Sequence, residues 1–266
     1  MTVALGYCGV IGKRYVDSCF GQIHLRESGA GSDTTPLICL HATAYSSRSF
    51  EPLMRAYGAA RHIITIDLPG YGESDAPTEK PDMAGYADAI ADAIGEGPVD
   101  LFGYHTGVYV AAELALRHPA KVRQMTWMGV PYFQALDFEA WRARLATPHI
   151  LQETLGQFDE RWEYLVANRP AGVSLTRGFG NFVDELKAWP NGSWAHEAMF
   201  AWGSDARLPM IQCPVTVLNP EGHLAAASRA AATLVAGARI IELPHLSGAV
   251  LETNADEIAA LIPSAA

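Results

Sequence analysis

Short unbroken apolar runs alternate along this chain with longer segments whose apolar positions recur every three or four residues. The runs at 36–40, 63–67, 99–103, 122–130, 214–218 and 238–243 read as strands, several of them apolar enough to be buried on both faces. Residues 46–60, 83–94, 106–117, 224–235 and 257–262 carry the helical period and fall between or after them. Upstream, residues 14–20 and 22–27 flank Gly21 and predict an antiparallel hairpin. Asn254 followed by Glu257 gives a capping-box-like start to the last helix. The β-then-α rhythm predicts an α/β fold, a mostly parallel central sheet with helices on both faces.

That rhythm stops between Pro131 and about Leu208. Five of the six tryptophans fall there, Trp141, Trp162, Trp189, Trp194 and Trp202, in helical patches separated by Pro148, Pro170 and Pro190. The expected organisation is therefore a core of residues 1–130 and 209–266 with a helical cap at 131–208. Most of the indoles are expected to build the cap's own core, and an apolar pocket is expected beneath it, at a junction of the kind ligands favour.

Composition narrows the function classes. The chain has 266 residues, 49% of them hydrophobic and 18% charged, which describes a globular protein rather than a disordered one. A formal net charge of −10 and the lack of a basic patch argue against nucleic acid or an anionic membrane as partner. Lys121 with Arg123 is the sharpest basic pair, and it reads as solvated surface. No run approaches the roughly 20 apolar residues of a transmembrane helix. The apolar run at 3–12 has no basic residues before it, so a secretory signal is not expected. Cys8, Cys19, Cys39 and Cys213 show no CxxC spacing and read as buried free thiols of a cytoplasmic protein. No spacing suggests a metal or nucleotide site, so no cofactor is expected. A homodimer is compatible with the chain, but no segment specifies its interface.

The most informative local pattern is Gly103-Tyr104-His105-Thr106-Gly107, set between an apolar strand and an amphipathic helix. Such a turn holds its central residue in strained backbone, and glycines two positions away let strand and helix close together. Taken in order with Leu37-Ile38-Cys39-Leu40-His41, Asp67-Leu68-Pro69-Gly70-Tyr71-Gly72-Glu73-Ser74 and Gly129-Val130-Pro131, it resembles the α/β-hydrolase superfamily. More narrowly, with Arg14-Tyr15-Val16-Asp17, Phe20-Gly21 and Ser46-Ser47-Arg48, the chain is similar to an uncharacterised bacterial group of that superfamily with a Gly-Tyr-His-Thr-Gly elbow.

The resemblance implies a nucleophilic serine where this chain has His105. It also implies an oxyanion hole from the amides of Thr106 and of the loop His41-Ala42-Thr43. His41, Thr43, Tyr104 and Thr106 are the expected substrate-binding positions around the elbow. The family's acid is expected near Glu221, which has His223 as neighbour. Its histidine is expected about where Gly248 stands, and His245, three residues earlier, could reach a pocket only through a rearranged loop. A conventional Ser-His-acid triad is thus missing at two of three positions. Asp67 is expected to tie down loop backbone rather than to react.

At the start of a helix, His105 faces the positive end of the helix dipole, which opposes protonation. A neutral imidazole can act as a general base or a hydrogen-bond donor, or attack as a nucleophile, in that order of preference. The expectation is an enzyme acting on a small, largely apolar carbonyl compound, through lyase, isomerase, cyclase, decarboxylase or atypical hydrolase chemistry. The alternative is a ligand-binding pseudoenzyme on the same scaffold.

Overall fold

A computed structural model describes residues 10–29, 34–133 and 137–263. Eight strands form one sheet: β1 (Gly12–Ser18), β2 (Gly21–Ser28), β3 (Leu37–Leu40), β4 (Ile63–Ile66), β5 (Val99–Tyr104), β6 (Val122–Met128), β7 (Val215–Glu221) and β8 (Arg239–Ser247). Their spatial order is β1-β2-β4-β3-β5-β6-β7-β8. β1 pairs with β2 and β2 with β4 antiparallel, and every later pairing is parallel. β3, β4 and nearly all of β5 are buried on both faces, which explains their lack of polar alternation.

Helices cover both sides. On one face, α2 (Met83–Ala93), α3 (Thr106–Arg117) and α9 (Ala225–Thr233) pack through Ala87, Ile90, Val110, Leu114, Ala227 and Ala231. On the other, α1 (Glu51–Tyr57), α10 (Val250–Thr253) and α11 (Ala255–Leu261) meet β3 and β5 through Leu53, Met54, Val250, Leu251 and Ile258. Asp82 caps α2 by accepting from the Gly85 amide at 2.8 Å, the standard way to satisfy an orphan helix donor. At the strand ends opposite the elbow, buried Asp100 accepts two bonds from Arg123, at 2.7 and 2.5 Å, and one from Arg61. Arg61 in turn donates to the Pro263 carbonyl at 3.1 Å, so one desolvated cluster fastens the end of the described chain to the sheet.

Between β6 and β7 the described chain carries five helices: α4 (Phe138–Leu145), α5 (Asp159–Trp162), α6 (Leu175–Lys187), α7 (Trp194–Ala201) and α8 (Ser204–Arg207). Polar contacts lock α6, α7 and α8 to the core. Buried Asp184 on α6 accepts from the Ser46 hydroxyl at 2.7 Å and from Arg48 at 3.4 Å. Arg177 reaches Glu252 at 2.9 Å. Trp202 and Arg207 both donate to buried Glu113 on α3. The Tyr71 phenol donates to the Gly192 carbonyl and accepts from the Ala195 amide, each at 3.1 Å.

Several local expectations are corrected. Residues 46–60 are not one helix but a 3-10 turn, Ser47–Phe50, leading into α1. Asn254 makes no side-chain cap bond, having backbone angles of −134° and 31°. β7 and β8 run further than the apolar pattern suggests, so that Glu221 and His245 lie within strands rather than loops. Cys39 is buried, but Cys19 is exposed, because it sits in the hairpin turn. Cys8 lies outside the described residues. No described helix is long and apolar enough to cross a membrane.

Candidate active site

β5 ends at Tyr104 and α3 begins at Thr106, leaving His105 alone in the turn with φ 50° and ψ −114°. It is the one non-glycine with positive φ among the described residues, a conformation costing roughly 1–3 kcal/mol. Surrounding bonds hold it there. Its N–H donates to the Met128 carbonyl at 3.1 Å, and its carbonyl accepts from the Val108 amide at 3.0 Å. A Cβ at Gly103 would come 2.6 Å from Val108 Cα, and one at Gly107 would overlap the Leu40 carbonyl. Both flanking glycines are thus imposed by the close approach of α3 to β5 and β3.

The imidazole lies over the end of β6. A Cβ at Gly129 would sit 2.8 Å from both Cδ2 and Nε2 of His105, so the ring fills the space a side chain there would need. Tyr104 meets the ring edge-on, with centroids 4.3 Å apart. Burial, then the nearby His223 and His196, hold the imidazole far below its usual range, at about 3. The expected neutral state follows, with desolvation as its largest cause.

His196, on α7, is a site neighbour that the sequence reading missed. Burial lowers its own pKa to about 4, against an opposing hydrogen bond at the Leu145 backbone. It lies in no motif, so its only signal was being a histidine in the tryptophan-rich segment. His223 follows β7 and is exposed, lowered by burial of part of its ring and then by Arg144. It stacks nearly parallel on Trp141 of α4, with centroids 5.4 Å apart and planes 13° from each other. Three elements, the β5–α3 turn, α7 and the β7–α9 turn, thus carry the imidazoles whose fields meet at His105.

The other expected residues are placed differently. Glu221 is exposed at the end of β7 opposite Ser247, and its charge acts on Arg229; it is not brought to His105. His245, with its side chain 60% exposed, bonds Glu257 at 2.7 Å and lies on the surface, where the pairing of β8 with β7 is interrupted. At Gly248, φ is 70°, and a Cβ would find Pro170 as its nearest atom, 4.0 Å away. His41 is wholly buried: one ring nitrogen donates to the Ala42 carbonyl at 2.9 Å and the other accepts from the Leu68 amide at 3.0 Å. Its expected substrate contact is corrected, because both nitrogens are used by the fold. The Thr43 hydroxyl is buried without a hydrogen-bond partner that meets full geometry, close to the Tyr71 phenol. Thr106 is buried at the first turn of α3, where helix geometry leaves amides without internal acceptors. The Tyr104 phenol is pushed up to about 12, mainly by burial.

Asp67 is buried and accepts from His24 at 2.8 Å and from the Ser47 and Glu73 amides at 2.5 and 2.9 Å. Burial alone would raise its pKa, but the His24 bond, the nearby His41 and the amide bonds outweigh that and hold it at about 2. A Cβ at Gly72 would overlap its carboxylate, which accounts for the glycine in that turn. Among the described residues, no group of three or more His, Cys, Asp or Glu could hold a metal ion.

Antiparallel entry strands, a parallel sheet, a strained strand-to-helix elbow and helices inserted after β6 define a protein of the α/β-hydrolase type. The chain belongs to the α/β hydrolase fold family, whose model matches residues 35–202. It is 40% identical over 87 residues to a pimeloyl-[acyl-carrier protein] methyl ester esterase of Neisseria meningitidis, covering 32% of this chain and 33% of that one. It is 30% identical over 117 residues to a 2-hydroxymuconate semialdehyde hydrolase of a Pseudomonas species, covering 41% and 40%. The chain thus spans about a third of the length of the Neisseria relatives it matches. Among solved structures, an epoxide hydrolase of Vigna radiata aligns with TM-score 0.75 at 16% identity, over 95% of this chain and 96% of that one. A Bacillus subtilis carboxylesterase aligns with TM-score 0.73 at 19% identity, over 94% and 90%. At such identities the structural likeness speaks for the fold alone.

Proposed function

We propose that the protein is an enzyme acting on a small, largely apolar carbonyl compound without a Ser-His-acid triad, with His105 as its central acid/base or hydrogen-bonding group. The observation that carries this reading is the elbow itself. The backbone strain that presents a nucleophile in serine enzymes is spent here on an imidazole that stays neutral to about pH 3. A neutral imidazole accepts a proton at one nitrogen and donates from the other, so it can take a proton from substrate or water, or polarise a carbonyl. The Thr106 amide, and the Thr43 amide with it, would receive the developing negative charge on oxygen. His223 and His196 would be the groups that pass a proton to or from His105. The named relatives are esterases and hydrolases, which supports carbonyl chemistry, with water activated by His105 as the hydrolytic route. Lyase, isomerase, cyclase or decarboxylase chemistry uses the same groups without a covalent intermediate.

The test is turnover across activated esters and enolisable carbonyl compounds with His105→Ala and His105→Gln. A loss of roughly 10²–10⁴-fold is expected for a general acid or base; unchanged turnover by His105→Ala would refute the role. The placement of Glu221 and His245 outside the site favours one second reading, a ligand-binding pseudoenzyme. Thermal stabilisation by such ligands, with no turnover of any of them, would decide for it.

A further inference from the structure

α4 carries an arginine without a carboxylate to neutralise it. Arg144 is exposed, and among the described residues it forms no ion pair, whereas Arg161 is bonded twice to Glu185 and Arg177 once to Glu252. Its guanidinium lies over the Trp141 ring, 5.8 Å from the centroid. The same indole carries His223 in a near-parallel stack. One ring therefore contacts both a permanent cation from the helical insertion and an imidazole from the β7–α9 turn. The His105 ring lies against Gly129 at the end of β6, and His223 follows β7, the parallel neighbour of β6, so the stack and the elbow stand at the same end of the sheet. In a chain of net charge −10, this is a local concentration of donors and positive charge.

We propose that Arg144, Trp141 and His223 form an anion-recognising edge of the His105 site, so that the molecule bound there carries a carboxylate beside its apolar body. This rests on the reading of the His105 site as a small-molecule pocket. A guanidinium offers a planar fork that matches a carboxylate, and a ring already stacked beneath it reduces the freedom lost on binding. The neutral imidazole of His223, stacked on the same indole, supplies an N–H to the anion.

The experiment uses the full chain and measures binding by titration calorimetry, with hexanoate, hexanamide and hexyl phosphate as probes. Wild type is expected to bind hexanoate about tenfold more tightly than hexanamide, the size of one charge-assisted hydrogen bond. Arg144→Ala and Arg144→Gln should abolish that preference and leave hexanamide affinity unchanged. His105→Ala should retain the preference. Equal binding of acid and amide by wild type, or a preference that survives Arg144→Ala, would overturn the proposal while leaving the role of His105 untouched. Absence of binding by either would overturn it too, and hexyl phosphate binding more tightly than hexanoate would overturn the assignment to carboxylates. Arg144 is a surface residue, so unchanged circular dichroism of its variants is the control for folding.

Discussion

Replacing Gly129 with alanine tests whether the His105 ring is held against the end of β6. At φ 68°, a side chain costs about 1–2 kcal/mol on backbone grounds alone. The new Cβ would also stand 2.8 Å from two imidazole atoms, and relieving such overpacking costs roughly 1–3 kcal/mol. Against this, alanine restricts the unfolded chain and returns about 0.4–1 kcal/mol. The net expectation is a loss of about 2–4 kcal/mol, or a melting point lowered by about 5–15 °C for a chain of this size. The assay is a double-mutant cycle with His105→Ala, followed by chemical denaturation. Removing the ring should relieve the steric part and leave the backbone part, giving a coupling of about 1–3 kcal/mol. Additive losses in the cycle would refute the packing argument, because the alanine would then be clashing with something other than His105.

Other expectations follow from the same geometry. Asp67, held at about 2 against a reference of 3.8, contributes stability that is fully present above its unfolded pKa. That contribution, about 2 kcal/mol, is lost as pH falls from about 5 to 2, and should appear in denaturation midpoints measured across that range. His105, depressed to about 3 from 6.5, acts in the same direction: stability is full above 6.5 and falls as pH drops toward 3, so wild type should lose more than His105→Ala in that window. NMR of labelled histidine should show His105 neutral at pH 5, and a charged ring there would contradict the burial argument. Asp184→Ala leaves Ser46 and Arg48 without their acceptor and should cost about 1–3 kcal/mol. Hydrogen exchange should speed most in α6, and uniform protection would show that the contact does not anchor that helix.

The apolar runs alone determined the order of strands and helices, because residues buried on both faces of a parallel sheet cannot alternate with polar ones. The elbow was legible for a related reason: close approach of α3 to β3 and β5 forbids a Cβ at Gly103 and Gly107, so packing leaves a mark in the letters. Strand ends were less legible, since β8 extends past its apolar run across an irregularity at 244–246 to a last pairing of Ser247 with Glu221 that needs no apolar side chain. His41 and His245 could not be sorted from sequence, because whether a ring nitrogen is free depends on which distant groups meet it. The Leu68 amide meets the first and Glu257 the second. His196 was invisible for the same reason, being brought toward His105 by the docking of α7. The chain by itself thus fixed a strained histidine in a hydrolase-type turn, through local sterics. Its neutrality and its neighbours were decided by tertiary structure, because burial and electrostatic fields act through space rather than along the sequence.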